Sequence, residues 1–153
     1  MFRTPAHLYR VLAIAEAITW TLLIAALIAR AVGAPGIVVT IAGGIHGFVF
    51  LSYGATAILV AFNQRWSIGL GLLAVASAII PFATIPMEIW LHRKGRLVGE
   101  WRLDESEHPQ DRTWYDKTMR WFLNHAVLLV VLIAVAVVAL YVVLLLVGPP
   151  GGK

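Results

Sequence analysis

Four long apolar runs dominate the chain, at 8–28, 37–62, 67–91 and 122–147. Each reaches the roughly 20 residues that a helix needs to cross bilayer hydrocarbon. A water-soluble fold of 153 residues has no room for them, because small domains bury only about two-thirds of their surface. Composition points the same way. Hydrophobic residues make up 60% of the chain and charged residues 13%, against about 45–50% and about 25% in ordinary soluble domains. The surplus must face lipid. The expected fold is therefore all-α: a polytopic membrane protein with four transmembrane helices in an antiparallel bundle.

The joints between runs are polar or helix-breaking. Gly33, Pro35 and Gly36 make the first turn tight, and Asn63-Gln64-Arg65-Trp66 makes the second tighter. Joints this short force neighbouring helices antiparallel. Residues 1–96 are thus expected as a three-helix membrane domain, 97–121 as a charged loop, 122–147 as a fourth transmembrane helix and 148–153 as a disordered tail. The first run is expected to be retained rather than cleaved as a signal peptide, since it is too long for one and contains Glu16.

The connection 92–121 holds seven of the twelve Lys and Arg and six of the eight acids. Its segment 111–121 can form a short interfacial helix with Trp114, Thr118 and Trp121 on one face. The alternative is a solvated loop leading into the last span. Basic residues confined to joints between apolar runs speak for membrane topology and against nucleic-acid binding. In a four-span arrangement, positive-inside counting puts loop 92–121 in the cytoplasm, although Arg3 and Arg10 ahead of the first span argue the reverse.

Lipid gives helices no hydrophobic reason to associate, so close packing falls to small residues. Gly43 and Gly47 form such a pair in the second span. Pro81 and Pro86 each remove a helical hydrogen bond and are expected to kink the third. An ionisable group in hydrocarbon costs at least ~2.5–3.5 kcal/mol, so it faces the bundle interior and finds a partner. Glu16 and His46 are the two deep candidates and lie at similar depths on adjacent spans. Their pairing reads either as a structural clamp or as a proton or ion relay. Glu88, His92 and His125 form a loose group that could hold a divalent metal, with snorkelling interfacial residues as the simpler account. Cysteine is absent, and no nucleophile, phosphate loop or acid–base pair stands out. No cofactor and no enzymatic activity are expected.

Glu16-Ala17-Ile18-Thr19-Trp20, Ile45-His46-Gly47-Phe48-Val49-Phe50-Leu51, Arg65-Trp66-Ser67 and Ile80-Pro81-Phe82-Ala83 followed by Glu88 resemble the pattern of an uncharacterised family. Its members are small bacterial integral membrane proteins, frequent in actinobacteria, with a three-span domain of unknown function. The resemblance covers residues 1–100, and Ala83 stands where the family usually has glycine. It implies that Glu16, His46, Pro81 and Glu88 belong to the family pattern and that the chain sits in a bacterial inner membrane. It supplies no substrate or cofactor. The expectation is an accessory or scaffold subunit, a homo-oligomer or part of a larger membrane complex, with a small transporter or ion-conducting subunit as the alternative.

Overall fold

The computed structural model describes residues 4–147, so the tail expected as disordered lies outside the described residues. All regular elements among them are helical. Helix α1, Pro5–Ala31, starts where the Thr4 hydroxyl accepts from the His7 amide and Pro5 occupies the first turn. It ends at Gly33, whose φ of +104° reverses the chain. Helix α2, Ile37–Asn63, returns antiparallel to α1. Each holds 27 residues, about 40 Å of helix at about 1.5 Å per residue, enough to cross a core of about 30 Å.

The third apolar run departs from expectation. In place of one span over 67–91 there are two short helices: α3, Ile68–Ala76, extended by a 3-10 turn at Ser77–Ile79, and α4, Thr84–Arg93. Pro81 causes the break. It forces Ile80 into an extended conformation (φ −99°, ψ 123°), and Phe82 follows in the left-handed region at φ +65°. Pro86 does not kink anything, because it sits in the first turn of α4, where its missing N–H has no helical partner to lose.

The break reverses the chain. Descending α3 pairs with α2, first Gly71 beside Ala61 and then Ala74 and Ser77 beside Tyr53. The tip bonds to α1 through Trp20 and Ala78, after which Thr84 meets Ala13 and Glu88 meets Arg10. That order runs back along α1 towards its start. The Trp66 indole then donates to the Arg96 carbonyl at 2.9 Å, tying the exit of α4 to the turn from which α3 entered. The pair α3–α4 is a re-entrant hairpin, opening and closing on one face. Buried Tyr9, Tyr53, Trp66, Leu91 and Leu97 form the core beneath it.

Loop and fourth apolar run therefore leave from that same face. Asp111, 1% exposed, accepts from Arg65, from Arg102 Nη1 at 2.9 Å and from the Ser106 amide and hydroxyl at 2.8 and 2.7 Å. Arg102 also caps α2 by donating to the Asn63 and Phe62 carbonyls at 2.6 and 2.9 Å. Helix α5, Trp114–Asn124, turns Asp116 and Arg120 into this network and leaves Trp114 and Trp121 outside, which suits an interfacial helix. Helix α6, Ala126–Val147, begins after a break at His125, so residues 122–124 belong to α5 and not to the span. It is the third helix long and apolar enough to cross a membrane; α1 and α2 are the others.

Candidate functional site

The hairpin tip creates a local problem in hydrocarbon. Helix α3 ends there, and its last carbonyls lose their helical partners. The Tyr53 hydroxyl donates to the Ala74 carbonyl at 3.1 Å, joined by the Ser77 hydroxyl at 2.7 Å. The Trp20 indole N–H donates to the Ala78 carbonyl at 3.1 Å. Across the tip, the Thr84 hydroxyl donates to the Ala13 carbonyl at 3.0 Å. These side chains each have a structural duty at the break. Tyr9 extends the set, its hydroxyl 2.6 Å from that of Tyr53.

Glu16 lies among them, 0% exposed, and neither carboxyl oxygen has a hydrogen-bond partner. Glu16 is eleven residues beyond Pro5, about 17 Å along a helix of about 40 Å. His46 is also buried, but it does not bond to the Glu16 carboxyl. Thr19 stands between them, donating to the Glu16 backbone carbonyl at 2.9 Å, with its oxygen 3.1 Å from His46 Nδ1. A hydroxyl has one hydrogen, so His46 Nδ1 is the donor in the second bond. The Trp20 ring, 4.4 Å from the His46 ring, completes the group.

The other residues singled out in the sequence fall elsewhere. Glu88, His92 and His125 are not brought together, and among the described residues no three His, Asp or Glu side chains are grouped to hold a metal. Glu88 instead accepts from Arg10 at 2.8 Å. Of the glycines, Gly43 faces Leu23 of α1, while Gly47 and the neighbouring Gly44 receive Tyr141 of α6. Gly44 is the tighter position, since a Cβ there would sit 2.9 Å from the Tyr141 hydroxyl. Tyr9, Tyr53, Ser77 and Thr84 were not anticipated. Their signal was present: tyrosine belongs at the membrane interface, and Tyr53 lies well inside.

Outside the spans, burial acts to raise the Asp111 carboxyl, but its bonds from Ser106 and the Arg65 guanidinium prevail and hold it well below the usual range.

No solved structure matches the chain. A protein of Streptomyces coelicolor, described as a membrane protein, is 38% identical over 88 residues. The match covers 56% of this chain and 10% of that protein, so the chain corresponds to a small part of its relative. The matching family model covers residues 6–93, comprising α1, α2 and the re-entrant hairpin and stopping before the charged loop. This protein belongs to the family described as Domain of unknown function (DUF3817).

Proposed function

We propose that the protein is a non-enzymatic accessory or scaffold subunit of a larger assembly in the bacterial cytoplasmic membrane. One observation carries this reading: in the Streptomyces relative the same segment is a tenth of a much longer chain described as a membrane protein. There it is joined covalently to other protein; here it carries α6, whose one buried residue among those described is Val137. Helix α6 then serves as the docking surface for partner helices. The lack of a nucleophile with its base supports a binding role over catalysis.

Three crossing helices and a re-entrant hairpin, rather than four spans, fit this role. Nine of the ten described Lys and Arg then lie on the loop face, with Arg30 alone on the other. The conflict between the first span and the loop disappears, and positive-inside counting assigns the loop face to the cytoplasm. A transporter has less support. Past Thr19 and His46, α1 has no ionisable residue before Arg30 and α2 has none back to Ile37, so no polar path continues to the far face.

Purification in mild detergent after cross-linking through single cysteines placed on the outer face of α6 tests the proposal. Capture of a different membrane protein is expected. A lone monomer, or a dimer of this chain alone, refutes it.

A further inference from the structure

We infer that Glu16 is a reversible proton site, loaded from the charged-loop face and closed to the opposite one. This is independent of the assembly reading and would stand if that reading failed. The other polar side chains at the hairpin tip, Trp20, Tyr53, Ser77 and Thr84, each donate to a backbone carbonyl. Glu16 has no such bond, since the neighbouring Trp20 N–H that could reach it is given to Ala78, yet it occupies a position with no exposure. A buried polar group without a partner is rare enough to need a reason. A proton supplies one: it removes the charge from hydrocarbon and turns the carboxyl into a donor.

The proposed route lies on the loop side. Arg10, half exposed, holds Glu88 at the mouth. Next to Arg10 the buried Tyr9 meets Tyr53, their hydroxyls 2.6 Å apart, and Tyr9 lies two helical turns from Glu16 on the same face of α1. The Ser77 hydrogen goes to Ala74 and Tyr53 donates onward, so Tyr9 is the donor to Tyr53. In uptake, water at the mouth gives a proton to the chain. Each hydroxyl takes one hydrogen and passes one on; for the last transfer Tyr53 turns its O–H from the Ala74 carbonyl to Glu16, and the carboxylate becomes a carboxylic acid. Release runs the same steps backwards.

The titratable groups that the packed elements bring near this level are Tyr53 and His46 from α2, the latter bonded to Thr19, with Glu88 from α4 paired to Arg10 beyond the tyrosines. Helix α3 brings none, and α6 carries only Tyr141, which packs against α2. Only His46 lies further along, bonded to Thr19 and not to the carboxyl, and past it α1 has no ionisable residue before Arg30 and α2 none back to Ile37, so the proton stops at Glu16. The arrangement is a sensor of loop-side pH and not a conduit. Its output is the hairpin tip, one helical turn away through Trp20 and Ala78.

Infrared difference spectroscopy on the full chain, uniformly oriented in liposomes, reads this directly. The expected result is a protonated-carboxyl carbonyl band that is lost when the loop side is made alkaline, ignores pH on the other side, and is absent from Glu16→Gln. Glu16→Asp should displace the band, which keeps the assignment available if the glutamine variant does not fold. Tyr53→Phe should slow the response to a pH jump. A band absent at every pH, present at every pH, retained in Glu16→Gln, displaced by sodium instead of alkali, or answering to the far side overturns the inference.

Discussion

The reversal at Pro81 sets where the rest of the chain lies, and it can be tested without knowing the activity. Residues Ile68–Ile79 reach about 18 Å at about 1.5 Å per residue. Helix α4, ten residues long, reaches about 15 Å. Neither crosses a core of about 30 Å. Straightening them into one span would break the Arg10–Glu88, Thr84–Ala13 and Trp66–Arg96 bonds. At about 1 kcal/mol net for each hydrogen bond the loss is about 3 kcal/mol. It would also carry the loop cations across the membrane, which dominates the cost. A mixture of the two topologies is therefore not expected. The chain has no native cysteine, so Val32→Cys, at a position 82% exposed, and Glu107→Cys, in the exposed loop, report without background. On intact cells a membrane-impermeant maleimide should label Val32→Cys, and should reach Glu107→Cys only after the membrane is opened. Labelling of both from one side refutes the hairpin. The reverse pattern keeps the hairpin and refutes the cytoplasmic assignment.

Asp111→Asn should undock the loop, at a cost of about 3–5 kcal/mol typical of breaking a buried ion pair, seen as faster tryptic cleavage at Arg102 and Arg112 than in Asp104→Asn. Because the folded carboxyl titrates below its unfolded value, its contribution is complete above the unfolded pKa and is lost only as pH falls through the folded one; loop protection in the parent should thus be unchanged from neutral down to about pH 4, the ordinary aspartate value. Trp20→Phe leaves the Ala78 carbonyl without its donor and should lower thermal stability in detergent by about 1 kcal/mol. Gly44→Leu should push Tyr141 off α2, measured as a lost cysteine cross-link between α2 and α6, with α1–α2 packing retained.

Hydropathy revealed α1, α2 and α6 because span length is a local property of sequence. It misled over 67–91, where the run is as apolar as its neighbours. Pro81 marks a break there, but whether a break bends or reverses a helix depends on bonds such as Thr84–Ala13 and Arg10–Glu88, between residues far apart in sequence. The same limit applies to the site. Counting residues along α1 and α2 set Glu16 and His46 at similar levels but could not give their direction around each helix, and Thr19 rather than the carboxyl meets the imidazole. In α5, acid and base point inward while tryptophans point outward, an arrangement that mixed composition alone cannot order.

On the proposed topology, residues 6–93 would cross the bilayer twice and dip into it once, and so begin and end on one face. Spliced into a longer polypeptide, such a cassette leaves the sidedness of every downstream helix as it was. An ordinary three-span insert would invert them all. Parity of this kind suits a segment that makes up a tenth of its relative's length. On the same topology α6 would make the count odd and carry the chain away from the cationic face.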